Sequence, residues 1–495
     1  MSDDLLARLQ AAESAEERDW LVTEALLESL PAELRQAAWA AAVPHWFDAS
    51  ILAALLEKPP EECAALYTEL QTLPFVEPFE ARAGHNVHEV TRTAMLARLW
   101  NERRDEYVAL SRRAAATFAG GDEPETCIEE IYHLLIASPD AGAAALYDQG
   151  WKWHDPPLIA YDRVYALAGA ALEHNAAGRL DRQGVATANL LSGRIDFLYG
   201  RTRKALDKLE AARRASDPGS KLRADSNHRL GELHVGLGEY DEARVRCVKA
   251  LIIYAAIPDR GGQAASIVGL GDVHLKLQEL DEAWECYEAA RTIYADIDDS
   301  RGKAFCVQGL GDVHQKLGQY AEARDCYQEA LRVYAATGNR LMEASCTYSL
   351  GDVHLALREY AEARARYERA RTIYAATGSR LGEINGIWGQ AKVAQAQKDW
   401  PEAERLFGVA LAFYRELGEP ANIGWTLIRL GVVAEARGDR AAAACHYEEA
   451  LQVFQGMDEE MPADLAQYAQ HFLRSVRGSR LRRLLDWLRK PWRDR

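Results

Sequence analysis

The amino-acid sequence predicts an all-α protein, a solenoid of about seven helix-turn-helix repeats that follows a helical N-terminal cap. Three observations predict this fold class. Glycines recur at intervals of about 40 residues within one motif, alanines follow each glycine at fixed distances, and the first 140 residues share no such repeat. At 495 residues the chain is also longer than one ordinary hydrophobic core requires, so an array of stacked repeats with a separate cap accounts for its length.

The repeat is defined by small residues at three fixed places. Gly271 is followed by Ala283 and Ala290, and the neighbouring motifs GLGDVHLKLQEL and GLGDVHQKLGQY differ at few positions. Two antiparallel helices that pack closely need small side chains where their backbones approach each other. The residues at the first small position of the seven units, which together span about residues 183–456, are Gly193, Gly231, Gly271, Gly311, Gly351, Ala391 and Gly431.

The spacing resembles that of the tetratricopeptide repeat, which combines these small positions with one bulky aromatic position. The unit is about 40 residues long instead of the usual 34 or so, so its helices are about one turn longer. Such lengthened repeats are similar to those of kinesin light chains and bacterial signalling ATPases. The resemblance implies a right-handed α-solenoid over residues 183–456. The residues at the bulky position are Tyr287, Tyr327, Tyr367, Phe407 and Tyr447.

Residues 1–140 are predicted to form a separate, mainly helical domain. The segment LPFVEPFEARAGHNVHEV lies between helical patterns and has the strand-turn-strand pattern of a β-wing. Together with AAVPHWFDASILAALL and NVHEVTRTAMLARLW, it is similar to the winged-helix segment of STAND-type bacterial regulators. No phosphate-binding GxxxxGKS or GxxxxGKT loop occurs, so the ATP-driven switching of that family is not available to this chain. Residues 141–182 are predicted to be a helical adaptor between this domain and the repeats.

The charge distribution argues against nucleic acid as a partner. The net charge is −16 at pH 7, although residues 477–495 contribute +6, from eight Arg and Lys against two Asp. Residues 1–120 contain 11 basic and 20 acidic side chains, a balance that repels phosphates. We therefore expect no nucleic-acid binding through the winged-helix-like domain, and only the C-terminal tail could attract phosphates.

The sequence shows no motif for catalysis or for metal binding. The eight cysteines contain no CxxC pair, and neither HExxH nor GxSxG occurs. We predict no metal, no cofactor and no enzymatic activity, with a catalytic subunit that has an unrecognised active site as the alternative. Four histidines recur one repeat apart, too far to share a metal ion at about 2 Å, and we interpret them as packing residues. They are His234, His274, His314 and His354.

A binding surface is predicted on the first helices of the repeats. In tetratricopeptide domains, positions 2, 5, 9, 12 and 13 of the first helix line a concave groove, and here they carry carboxylates, two lysines and then aromatic side chains. Solvated Asp and Lys pairs contribute only a few tenths of a kcal/mol, whereas aromatic side chains along one face are typical of binding hot spots. The groove is therefore predicted to bind a peptide or helix of a protein partner with basic and apolar groups. The predicted partner-binding residues are Glu232, Asp272, Asp312, Asp352, Lys276, Lys316, Phe305, Tyr348, Trp388 and Trp425.

The C-terminal segment, residues 457–495, is predicted to be a helix that ends in a basic amphipathic tail. In RGSRLRRLLDWLRKPWRDR, leucines fall on one side of a helix and arginines on the other. Such a tail can lie on an anionic membrane, dock into a partner or cap the last repeat. The predicted anchor residues are Arg480, Leu481, Arg482, Arg483, Leu484, Leu485, Trp487, Leu488, Arg489, Lys490 and Trp492.

The sequence lacks signals for export or for membrane insertion. No stretch approaches the roughly 20 apolar residues of a membrane-spanning helix, and the N-terminal sequence is acidic, unlike a secretory signal. We therefore expect a cytoplasmic protein, with peripheral membrane attachment as a further option. The pattern favours a non-catalytic scaffold or regulatory sensor subunit, and the STAND resemblance implies bacterial signalling or defence. The alternative among binding proteins is a membrane or nucleic-acid adaptor that works through the tail.

Overall fold

The computed structural model describes residues 3–12, 14–155, 160–418 and 420–455. These residues are mostly helical and divide into two compact units, with the boundary between Asp217 and Pro218. The helical pair predicted as the first repeat therefore lies in the first unit, and the six later repeats lie in the second.

The first unit contains twelve helices and one β-hairpin among its described residues. The two strands pair in antiparallel fashion, with Val76 opposite Val87, at the place where the sequence predicts a β-wing. Phe47 adds to the hairpin by exchanging two backbone hydrogen bonds with His85, at 2.7 and 2.8 Å. The elements are α1 (Asp3–Ala11), α2 (Ala15–Ser29), α3 (Ala32–Ala41), α4 (Ala49–Leu56), α5 (Pro60–Leu70), β1 (Val76–Phe79), β2 (Gly84–Val87), α6 (Glu89–Glu102), α7 (Arg104–Phe118), α8 (Pro124–Ala137), α9 (Pro139–His154), α10 (Tyr161–Ala176), α11 (Arg182–Leu198) and α12 (Thr202–Ala215).

Two hydrophobic clusters form the core of the first unit. One joins the helices around the hairpin and includes the fully buried Phe47 and Tyr107. The other joins α8 to α11 around Leu146. Helix α8 contributes Ile136 to the first cluster and Ile131 to the second, so it connects the segment predicted as a winged helix with the segment predicted as an adaptor.

In its described part, residues 218–418 and 420–455, the second unit contains six consecutive helix-turn-helix pairs, and each helix packs on the next one along the chain. This arrangement confirms the predicted all-α solenoid of tetratricopeptide-like repeats. The elements are α13 (Lys221–Leu237), α14 (Tyr240–Ala256), α15 (Arg260–Lys276), α16 (Leu280–Asp296), α17 (Ser300–Lys316), α18 (Tyr320–Ala336), α19 (Arg340–Ala356), α20 (Tyr360–Ala376), α21 (Arg380–Ala396), α22 (Trp400–Leu417), α23 (Pro420–Ala436) and α24 (Arg440–Gln455).

Small residues permit the close approach of the paired helices, as the sequence predicts. A Cβ atom at Gly311 would lie 2.9 Å from Cε1 of Tyr327, and one at Gly351 would lie 2.8 Å from Cε1 of Tyr367. Two carbon atoms at such a distance repel each other, and the closely packed interior leaves little space for either to move away. The repeated glycine therefore leaves room for the tyrosine ring of the second helix.

Local side chains set the helix boundaries within the repeats. The Asp299 carboxylate accepts a hydrogen bond from the Gly302 N–H at 3.0 Å and so caps the first turn of α17. The turn after a first helix needs a left-handed residue, which is Gly318 in one repeat, with φ of 75°, and Gln278 in another, with φ of 64°. The repeat is thus closed by contacts between neighbours in sequence.

The repeated histidines fix the turn between the two helices of a pair. Nδ1 of His274 lies 2.6 Å from a carboxylate oxygen of Glu279, and Nδ1 of His314 lies 2.6 Å from Oε1 of Gln319. These contacts confirm the interpretation of the histidines as structural residues. The same contact joins His234 to Glu239 and His354 to Glu359.

The described part of the chain has neither a candidate membrane span nor a candidate metal site. None of its helices combines the length and the apolar composition needed to cross a bilayer. Its His, Cys, Asp and Glu side chains form no group of three or more that could hold a metal ion.

Candidate functional site

Three of the four predicted carboxylates on the first helices accept hydrogen bonds from buried tyrosines of the second helices. The Tyr287 hydroxyl donates to the Asp272 carboxylate at 2.6 Å, and the Tyr327 hydroxyl donates to Asp312 at 2.5 Å. Tyr367 donates to Asp352 in the same way. All three tyrosines are fully buried and the aspartates are partly buried, so each carboxylate first serves to satisfy a hydroxyl in the repeat core.

The other repeats of the second unit vary this pair, and Glu232 stands opposite a cysteine in the first of them. Where the tyrosine is replaced by Phe407, the aspartate position carries Lys392. In the last repeat, where Val432 stands at that position, the partner of Tyr447 is Glu435 on the next turn of α23. Sequence reasoning missed this pairing, although the spacing of 15 residues between aspartate and tyrosine recurs three times.

Burial and mutual repulsion keep two of these carboxylates in an unusual protonation range. The pKa of Asp272 is raised to about 7, and burial is the largest cause. The neighbouring carboxylates of Asp312 and Glu232 also raise this pKa, and their combined effect is larger than the opposite effect of Lys276. Burial raises the pKa of Asp312 to about 6, against the influence of Tyr327, Lys276 and Lys316. The two predicted lysines therefore act on the carboxylates through their charge.

Two of the predicted aromatic residues surround a lysine that sequence reasoning did not single out. The ammonium group of Lys392 lies 4.9 Å from the ring centroid of Trp388, 5.4 Å from that of Tyr348 and 5.3 Å from that of Tyr367. Lys392 also forms an ion pair with Asp352. Its side chain is only 17% exposed, so this cation is held by three rings and one carboxylate. The signal in the sequence was a lysine at the aspartate position of the repeat.

The remaining predicted groups are distributed along the array. Glu232 pairs with Arg229 at 2.9 Å on α13, Phe305 on α17 is 38% exposed, and Trp425 on α23 packs edge-on against Phe454 with ring centroids 6.5 Å apart. We call the first-helix residues predicted to bind a partner, together with Lys392, the first-helix face. The predicted tail anchor, residues 477–495, lies outside the described residues and stays a prediction.

Comparisons with known proteins place the repeats in a family. The family model of the tetratricopeptide repeat matches residues 222–296, 303–376 and 383–456. A comparison with curated proteins gives no match.

Two solved structures share the fold. One is a STAND protein with a tetratricopeptide repeat sensor from Pyrococcus horikoshii, 15% identical over 94% of this chain and 69% of that chain, with a TM-score of 0.54. The other is a Rap protein complexed with competence and sporulation factor, 13% identical over 68% of this chain and 98% of that chain, with a TM-score of 0.50. Such low identities show a common fold and leave function to be argued from the site. The three family matches show that residues 222–456 of this chain are an array of tetratricopeptide repeats.

Proposed function

We propose that this protein is a non-catalytic regulatory or scaffolding subunit that binds a peptide or helix of a partner protein on its first-helix face. The observation that carries the proposal is the set of aromatic side chains on successive first helices that stay partly accessible. Phe305, Tyr348, Trp388 and Trp425 are each exposed or half-buried, whereas the tyrosines that pair with the aspartates, Tyr287, Tyr327 and Tyr367, are fully buried. Partly accessible aromatic residues in line are typical of interfaces.

The charge on this face supports a partner with basic groups. Asp272 lies near two other carboxylates, which together repel its charge more than Lys276 offsets. A lysine or arginine of a partner beside Asp272 and Asp312 would stabilise their charged forms. The aromatic residues would then contact apolar side chains of the same partner.

The fold comparisons support a role in regulation. Tetratricopeptide repeats mediate protein interactions, and one solved structure of the same fold is complexed with competence and sporulation factor. Another is a sensor within a signal transduction ATPase. We therefore propose that this chain works in bacterial signalling or defence, in the cytoplasm, with any enzymatic step supplied by another chain.

The proposal is tested by site-specific photo-crosslinking in the native host. A photo-reactive residue is placed at Lys276, which is exposed on the first-helix face, and in a matched control at Glu285, which is exposed on the second helix α16. We expect a protein cross-linked from position 276 and absent from position 285. The double substitution Asp272→Asn and Asp312→Asn should reduce that product, because asparagine still accepts the tyrosine hydrogen bond but carries no charge. Equal cross-linking from both positions would reject the first-helix face.

A second candidate function is attachment to anionic membranes through residues 477–495. The observation that favours it is the charge of +6 within this segment. Each basic residue near an anionic surface contributes about 1 kcal/mol and is screened by salt. Deletion of residues 477–495 should abolish sedimentation with phosphatidylserine vesicles at low salt and leave the melting temperature nearly unchanged. A large drop in melting temperature, with no vesicle binding by the intact chain, would show that the tail caps the last repeat.

A further inference from the structure

One position on the first helices supplies a hydrogen-bond acceptor to a second tyrosine in the repeat core. The Tyr414 hydroxyl donates to the Asn385 side chain at 2.7 Å. Tyr254 donates to Asp225, also 29 residues earlier, and the corresponding partner of Tyr374 is Ser345. Three repeats thus place a short polar residue near the start of the first helix, where it satisfies the hydroxyl near the end of the second helix.

The repeat of α17 and α18 breaks this pattern. The position of Asn385 is taken there by Phe305, and the tyrosine of that repeat is Tyr334. Tyr334 is only 1% exposed, and its hydroxyl is buried without a hydrogen-bond partner among the described residues. An unsatisfied buried hydroxyl destabilises a fold. In the repeat of α15 and α16, the small Ala265 takes the position of Asn385, and Tyr294 is 8% exposed. Among these tyrosines of the described residues, the hydroxyl that is buried without a partner is therefore the one opposite the bulky phenylalanine.

Phe305 does not compensate for this loss by its own burial. It is 38% exposed and is one of the few large apolar residues left accessible on a first helix. A residue that leaves a core hydroxyl unsatisfied and also exposes an aromatic ring works against stability on both counts. Such local violations of folding rules are expected where a residue is kept for binding.

The surroundings of Phe305 define what it would bind. Asp312 lies seven residues after Phe305 in α17, which is two helical turns further along the same face. Asp312 and Asp272 each accept a tyrosine hydrogen bond and repel each other. An exposed aromatic ring near two partly buried carboxylates complements an apolar side chain beside a basic one.

We propose that Phe305 is the specificity-determining anchor of the first-helix face, which takes an aliphatic or aromatic side chain of a partner peptide whose neighbouring lysine or arginine lies against Asp312 and Asp272. This inference rests on the proposed function, because it names the partner chemistry of the same face. It adds to the proposed function that the anchor, Phe305, lowers the stability of the protein.

The test uses Phe305→Asn and Phe305→Ala in the full chain. Asparagine reproduces the residue of α21, so Tyr334 gains the acceptor that Tyr414 already has, and the melting temperature should rise. Alanine removes the ring without supplying an acceptor and serves as the matched control for binding. The probe is the set of peptides that a random dodecapeptide phage library yields on the immobilised full chain. We expect these peptides to combine an apolar residue with Lys or Arg, and both variants to bind them about tenfold or more weakly.

Each other outcome contradicts a defined part of the proposal. A melting temperature of Phe305→Asn no higher than that of Phe305→Ala would show that the Tyr334 hydroxyl does not lack an acceptor. Equal peptide binding by both variants and the wild type would remove Phe305 as the anchor. If Asp272→Asn with Asp312→Asn still weakened the same peptides, the proposed function would nevertheless stand. A library that yields no peptide, or a wild-type dimer that Phe305→Ala dissociates, would overturn the inference in favour of another occupant.

Discussion

The two units of the chain solve the problem of buried polar groups in different ways. In the second unit, a tyrosine hydroxyl of the second helix donates to an aspartate of the first helix, and this pair recurs in three successive repeats. In the first unit, one histidine bridges two carboxylates: Nδ1 of His45 lies 2.5 Å from Glu129, and Nε2 lies 3.1 Å from Glu173. A local pair that recurs contributes its stability once in each repeat. A single network instead holds together parts of one domain that are distant in the sequence.

The network of the first unit is built from several elements. Arg92 on α6 donates to the carbonyls of Val43 and Pro44 and to the Tyr132 hydroxyl, and thereby fixes the loop that carries His45. Burial lowers the pKa of His45, but Glu129 together with the hydrogen bonds to both carboxylates outweighs this effect and raises it overall. Both ring nitrogens face carboxylates, which requires the protonated imidazolium.

Another pair of histidines surrounds this network and stays neutral. Burial lowers the pKa of His133, whose Nε2 lies 3.3 Å from Glu129, although that carboxylate acts in the opposite direction. Burial holds the pKa of His174 well below its usual value, and Arg179 adds to that effect. His45 is therefore the histidine of this network that favours the charged form, because its pKa is raised whereas those of His133 and His174 are lowered.

The largest expected effect tests the close packing of the repeats. Gly311→Leu should destabilise the second unit by roughly 1–3 kcal/mol or more, because the added side chain has no space beside Tyr327. Gly408→Leu is the matched control, since Gly408 is exposed in α22 and a Cβ atom there would have no neighbour within 4 Å. Thermal melting of both variants measures the difference. Identical melting curves would show that the assigned helix contact is wrong.

A smaller effect is expected when one repeated pair is broken. Tyr327→Phe removes the hydroxyl that Asp312 accepts from, and hydrogen bonds to charged groups contribute about 1.5–3 kcal/mol. The repeat of α21 and α22 lacks this hydroxyl, because Phe407 stands at the tyrosine position, and Lys392 stands at the aspartate position. The double variant Tyr327→Phe with Asp312→Asn should therefore recover part of the lost stability in urea unfolding. If the double variant lost more unfolding free energy than the two single variants together, the pairing would be contradicted.

The network of the first unit should contribute about 1 kcal/mol through His45, since this side chain is 29% and Glu173 53% exposed. The folded pKa of His45 is raised, so its contribution is fully present below about pH 6.5 and is lost as pH rises through the folded pKa. Wild type should therefore exceed His45→Gln in unfolding free energy at pH 6, with a smaller difference at pH 9. A difference that grows with pH would reverse the assignment of charge.

The smallest effect has the opposite pH dependence to an ordinary aspartate. The pKa of Asp272 is raised in the folded state to about 7, so its ionisation destabilises the fold as pH rises from about 4 towards 7. Asp272→Asn should thus melt slightly higher than wild type at pH 8, and the advantage should vanish near pH 4. A constant difference at all pH values would mean that this carboxylate titrates normally.

Features that depend on residues close together in the sequence were predicted, and features that depend on residues far apart in the sequence were not. The repeat, its small residues and its structural histidines were predicted because each depends on neighbours within one helical pair. The pairing of Asp272 with Tyr287 is visible in the sequence as a recurring spacing, but Asp272 was predicted only as part of the partner-binding surface. The contacts of His45 with residues 84 and 128 positions away had no recurring pattern and depend on the packing of the first unit.

The pairing of side chains within single repeats has a consequence for how the array can change in length. Duplication of α15 and α16 by unequal recombination would copy Asp272 with Tyr287 and leave no hydroxyl or carboxylate stranded. Contacts that cross from one repeat to the next limit this freedom, as where Gln308 donates to Ser345 at 3.2 Å and where Lys392 pairs with Asp352. Gene rearrangements that add or remove repeats should therefore be selected against between α17 and α22, where these two contacts lie.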